Sequence, residues 1–133
     1  MTTFDFEDGN GPVPAHRHSN GGGWVADTAY VDLTAYVGPR ARVYGSAKVY
    51  DNALVGDYAL VCGNSLVHDN AKVRGYALVC GHAVVGDYAV VCDDASVGDH
   101  ALVCGRARVC SHAVVLGQTI VDHLVSGNSE VNQ

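Results

Sequence analysis

The 133-residue chain has no run of about 18 apolar residues, so no segment reads as a membrane-spanning helix. Cations are scarce: eight Lys and Arg stand against fourteen Asp and Glu, for a formal charge of −6. That sign is a poor match to a phosphate backbone or an anionic membrane, and neither nucleic acid nor membrane is expected as a partner. The opening residues, MTTFDFEDGNG, lack the basic and apolar regions of a secretion signal, so a cytoplasmic location is expected. No CxxC pair occurs. The five Cys lie at 62, 80, 92, 104 and 110, and every gap is a multiple of six, which is not zinc-ligand spacing. No cofactor is expected. Aromatic residues are few, at 8%, and a core is available because 48% of the chain is apolar.

A helical period is also missing. Valine recurs at every sixth position, and such valines would lie roughly 240° apart around a helix, giving no single apolar face. Sixteen hexapeptides run without insertion or deletion through residues 26–121, from ADTAYV to LGQTIV. Slot 6 is Val in all sixteen, and slot 4 is Ala in fourteen, with the small Ser65 and Thr119 as exceptions. Slot 2 is Gly or Asp in thirteen. Slots 4 and 6 point one way and slot 5 the other, the period-2 signature of a strand. Gly and Asp at the start of each unit favour bends and positive φ. Each unit therefore reads as a short strand followed by a bend of constant sense, and the chain must coil. A single slip would turn a valine outward, so the register is strict.

The pattern Val-(Gly/Asp-rich pair)-x-Ala-x-Val resembles the hexapeptide repeat of the left-handed parallel β-helix, the fold of bacterial hexapeptide acyltransferases. The resemblance implies an all-β, single-domain left-handed parallel β-helix of about five triangular coils, with 18 residues per coil. The expected organisation is an N-terminal cap over residues 1–25, the helix over 26–121 and a polar C-terminal tail over 122–133. The cap reading rests on Phe4, Phe6, Trp24 and the Pro/Gly clusters of the leader, because a terminal coil exposes edges that need covering. The leader GNGPVPAHRHSNGGGWVADTAYV is similar to one found before such repeats in hypothetical bacterial and phage proteins.

Columns spaced by 18 residues should stack about 4.8 Å apart, and several carry chemistry. Slot 5 faces outward, and one column ends in Leu66, Val84, Leu102 and Ile120, a continuous apolar stripe of the kind that marks an interface. Asp51, Asp69 and Asp87 should form an acidic ladder, in which each neighbouring pair costs about 0.9 kcal/mol even in water. Turn chemistry explains such a ladder better than cation binding or phosphate mimicry. His82 and His100 should stack on one face, and His16 and His18 should share one side of a leader strand. These four are weak metal candidates, since slot 3 also accepts Asn, Tyr, Ser and Arg facing solvent and the leader histidines suit a hydrogen-bonded cap. Cys62 should lie over Cys80 and Cys92 over Cys110, within disulfide reach but reduced in a cytosolic setting.

The hexapeptide acyltransferases usually carry a protruding loop with a catalytic His and often a C-terminal helix, and this chain has no interrupting loop. The related γ-class carbonic anhydrases use His pairs that this sequence lacks. No catalytic residue is assigned. The expected function is a rigid, non-enzymatic binding or scaffold module that self-associates through one flat face. The resemblance implies a trimer first and a dimer second, beside a protein partner the sequence does not name. The alternatives are an acyltransferase with an inter-subunit site and a phage-encoded inhibitor of a host defence protein, acting through its acidic surface.

Overall fold

A computed structural model describes residues 2–132. It is a parallel β-solenoid, and no helix occurs among the described residues. After β1 (Thr3–Asp5), β2 (Pro12–Arg17) and β3 (Trp24–Ala26), strands of two or three residues follow at six-residue intervals, except for one four-residue step from Ile120 to Leu124. Every third strand pairs in parallel, so three sheets wrap one axis. Register follows the 18-residue spacing throughout the repeat, as in Leu66↔Val84 and Lys72↔Val90. The sheets are named here by their first slot-5 residues. The Tyr30 and Tyr36 faces hold six strands each, and the Trp24 face holds nine including β1 and β2. The solenoid therefore has about six coils rather than five.

The interior is made almost entirely of slots 4 and 6. Slot-6 valines from Val37 to Val121 and slot-4 alanines from Ala35 to Ala113 are essentially fully buried. Ser65 and Thr119 are tolerated in slot 4 because their hydroxyls donate within their own bend, to Cys62 O at 2.7 Å and Leu116 O at 2.8 Å. No buried side-chain N or O among the described residues lacks a partner. A buried polar group is therefore accommodated only where it is hydrogen-bonded.

The corners explain slot 2. From Gly45 to Gly117, every slot-2 residue has φ between 53° and 73°. This left-handed region suits Gly and is open to Asp. Slots 1, 3 and 5 donate their N–H groups to the next coil, as in Tyr44 N to Val61 O, Ser46 N to Gly63 O and Lys48 N to Ser65 O. Slot-2 Asp carboxylates take the slot-2 N–H of the next coil: Gly75 N donates to Asp57 Oδ2 at 3.0 Å and Ser111 N to Asp93 Oδ2 at 2.9 Å. Asp thus serves two functions at one position, since it adopts the bend and accepts a backbone donor. Gly75 shows how tight the corner is, because a Cβ there would lie 2.7 Å from Asp93 N.

The start of the solenoid is closed by the leader. β1 pairs with β2 and β2 with β3, both antiparallel, and β3 joins Arg42–Val43 in parallel. Trp24 and Val25 thus already occupy slots 5 and 6 of a first unit, NGGGWV, one strand before the expected boundary at residue 26. Phe4 stacks on Trp24 at 4.7 Å and Phe6 on Tyr44 at 5.0 Å, forming a second small core with Ala15 and Ala26. Residues 18–23 cover the first strand of the Tyr36 face: Gly23 N donates to Val37 O and Val37 N to Asn20 O, both at 3.0 Å.

Of the expected polar tail over 122–133, the part through residue 132 is instead more solenoid, and Gln133 lies outside the described residues. Leu124–Val125 pairs with Arg108–Val109, and Glu130–Asn132 pairs with Val114–Leu116. The link from Val121 to Val125 is two residues shorter than a full unit, which shifts the phase. Read from residue 126, SGNSEV is an ordinary hexapeptide with Gly127 at φ 70° and Val131 in slot 6.

Candidate interaction face and polar columns

The Tyr30 face aligns Tyr30, Lys48, Leu66, Val84, Leu102 and Ile120 by direct strand pairing. The last four lie in consecutive coils as one apolar column. Leu66, Val84 and Leu102 are already half-buried, and Ile120 is 67% exposed. Each side chain in the column shields its neighbours, so less apolar area remains to be covered than four isolated aliphatics would offer. Leu124, which is 62% exposed, stands on the Tyr36 face above Arg108, separated from Ile120 by the exposed Asp122–His123 corner. At the other end the stripe gives way to Lys48 and to Tyr30, whose hydroxyl donates to Asp32 Oδ1 at 2.8 Å. The Asp32 carboxyl is held below its usual range, first by the Asp51 N–H and then by that hydroxyl.

The acidic ladder turns its carboxylates toward the backbone. Asp69 N donates to Asp51 Oδ2 at 3.1 Å, Asp87 N to Asp69 Oδ2 at 3.4 Å and Gly105 N to Asp87 Oδ2 at 2.8 Å. All three aspartates have φ near 60°. One oxygen of each is thus taken up by corner chemistry, which offsets the like-charge repulsion. Beside the ladder, His68 Nδ1 lies 3.1 Å from Asp69 Oδ2, and donor atoms of Asp51, His68 and Asp69 fall within 4.8 Å of one another. This grouping combines slots 1 and 2 of adjacent coils, so inspection of single slots misses it.

His82 and His100 stack with ring centroids 4.8 Å apart and planes 4° apart, both exposed. His16 and His18 do not share a side. β2 ends at Arg17, so strand alternation no longer governs residue 18. His16 Nδ1 lies 2.7 Å from Asp27 Oδ1, whereas His18 is buried with Nε2 2.8 Å from Ala35 O. Each imidazole is held by a separate acceptor.

The two cysteine pairs differ in setting. Cys62 Sγ lies 2.7 Å from Cys80 Sγ, beside the Tyr44 phenol. Cys92 and Cys110 share their corner with Asp93, their donor atoms within 4.8 Å, next to Arg74 and Arg108. Burial raises the Cys92 thiol above its ordinary pKa; the Asp93 charge adds to this and the two guanidinium groups oppose it. Further along the same corner is a shallow groove of about 530 Å³ between Tyr36, Arg40, Leu54, Tyr58 and Arg74. Arg40 Nη1 donates to the Tyr58 hydroxyl at 2.7 Å, and Tyr58 stacks flat on Tyr76 at 5.0 Å. These residues occupy slots 1, 3 and 5 of different units, which is why the linear sequence does not group them.

Comparison with protein-family models, curated proteins and solved structures finds no match for this chain.

Proposed function

We propose that the protein is a rigid, non-enzymatic scaffold of the left-handed hexapeptide-repeat type, and that it self-associates through the apolar end of its Tyr30 face. The observation that carries this reading is the unbroken register of Leu66, Val84, Leu102 and Ile120 across four coils. A stripe about three coil spacings long, roughly 14 Å, presents a flat surface whose backbone is fixed by the solenoid. Matching copies can cover it with little loss of conformational entropy. Each aliphatic contributes up to about 1.5–3 kcal/mol when taken fully from water, discounted here for the three that are half-buried. One patch serves every copy, so closed symmetry is expected, with three copies as the first arrangement and two as the second. The uninterrupted six-residue units support a binding surface over an acyl-transfer site, since the repeat of residues 26–121 holds no inserted loop to grip a donor.

The test is the double variant Val84→Glu, Leu102→Glu. It places like charges across the proposed interface and leaves the inward valines untouched. Light scattering should give a multiple of 13.9 kDa for the parent chain and a single-chain mass for the variant, with identical circular dichroism. A parent chain that is monomeric at micromolar concentration contradicts the proposal.

A further inference from the structure

We propose that Cys62 and Cys80 form a coil-to-coil dithiol that low-molecular-weight disulfides oxidise to an intramolecular disulfide. Both occupy slot 1 of the same corner, one coil apart. Each precedes a left-handed glycine, Gly63 at φ 65° and Gly81 at φ 68°, so the two backbones turn the corner alike. The sulfurs are already in contact at 2.7 Å, with Cys62 donating to Cys80. A coil spacing of about 4.8 Å falls within the Cα separations that disulfides span. The coil spacing itself therefore permits the bond.

The surroundings assign the two thiols different roles. Cys62 is 4% exposed, with Tyr44 beside it and Phe6 stacked on Tyr44. Burial, followed by the hydrogen bond to Cys80, pushes the Cys62 thiol up to about 12. Cys80 is partly exposed, and the next residue of its column is Gly98, which has no side chain. Cys80 is thus the group an external disulfide reaches. Its sulfur attacks R–S–S–R, forming a Cys80–S–S–R mixed disulfide and releasing one RSH, which takes up the Cys80 proton. The Cys62 sulfur then attacks Cys80 Sγ from the interior side, opposite the solvent-directed leaving group. A second RSH departs with the Cys62 proton, and the Cys62–Cys80 bond is formed. The thiol pair is oxidised and the external disulfide is reduced to two thiols. Cys92 and Cys110 are less suited, because their sulfurs share a looser grouping with Asp93, within 4.8 Å, and the Asp93 charge disfavours the Cys92 thiolate.

The experiment incubates the full chain with glutathione disulfide, alkylates the remaining thiols and measures intact and peptide masses. Three of the five cysteines should be alkylated, with Cys62 joined to Cys80 and no glutathione retained there. The closed loop of about 18 residues should raise the melting temperature by on the order of 10 °C, reversibly on reduction. Cys62→Ala should stop at the Cys80–glutathione mixed disulfide, and Cys80→Ser should leave Cys62 free and show no temperature shift. Five alkylated thiols in the parent, a mixed disulfide at Cys80 that Cys62 never resolves, or a link found only between Cys92 and Cys110 would overturn the assignment.

Discussion

Substituting adjacent residues on one strand tests the architecture: Val91→Asp faces the interior and Val90→Asp faces out. Val91 is fully buried between Val73 and Val109 of neighbouring coils, in a core of valine and alanine. Replacing its isopropyl group forfeits about 1.5–3 kcal/mol of apolar burial. The new carboxyl finds no donor inside, which costs a further 1–3 kcal/mol or so even when protonated. The total of roughly 2.5–6 kcal/mol is a large share of the stability of an ordinary domain. Ionisation is resisted more strongly still, so the buried carboxyl should titrate well above its unfolded value near 3.9. Between those two pKa values the folded state holds a proton that the unfolded state has released. The variant should therefore lose about 1.4 kcal/mol of stability per pH unit relative to the parent as pH rises through that window. Val90→Asp should cost about 1 kcal/mol or less, with no such pH dependence. Urea melts followed by circular dichroism at several pH values measure both. A Val91→Asp variant that melts with the parent, or two variants that cost the same, would refute the inward register of slot 6.

Two further outcomes follow from the corners and the cap. At Asp57 the order of destabilisation in thermal melts should be Asn, then Gly, then Ala. Asn keeps an acceptor for Gly75 N and tolerates the left-handed bend, Gly keeps only the bend, and Ala keeps neither, at a cost of about 1–2 kcal/mol for the bend alone. An Ala variant as stable as the Asn variant would show that φ 53° at this site is unstrained for any residue. His18→Ala removes one of two side-chain donors to Ala35 O, leaving only the Asn20 amide, so hydrogen exchange at the Gly23 and Val37 amides should quicken while the Val85 and Val91 amides stay protected. Equal loss of protection at both ends of the solenoid would mean that the leader does not act as a local cap.

The interior was legible because a strict six-residue period fixes side-chain direction as well as spacing. Val85 and Ala83 could be placed inside from position alone, and Leu66 could be paired with Val84. What escaped the sequence departs from that period or depends on contacts between slots. The unit SGNSEV is regular but out of phase, so a fixed cut at residue 121 assigned it to a tail. NGGGWV lacks the slot-4 alanine, so the repeat pattern does not mark it. The spacing of His16 and His18 suits one strand, but the strand ends between them. The pairing of slot-2 carboxylates with the next coil's N–H follows from three-dimensional stacking, and composition shows only that Asp is frequent there. The stripe was read as four exposed aliphatics, whereas mutual shielding leaves only Ile120 widely open.

Self-association through the Tyr30 face is tested most directly by placing a photo-crosslinking benzoylphenylalanine at three equivalent outward valines: Val84 on that face, Val90 on the Tyr36 face and Val114 on the Trp24 face. All three occupy slot 5 and are partly buried, so the substitutions perturb each face alike. Irradiation should give covalent multimers of this chain from position 84 and only single chains from positions 90 and 114. Multimers from 90 or 114 with none from 84, or single chains from all three, would contradict the account.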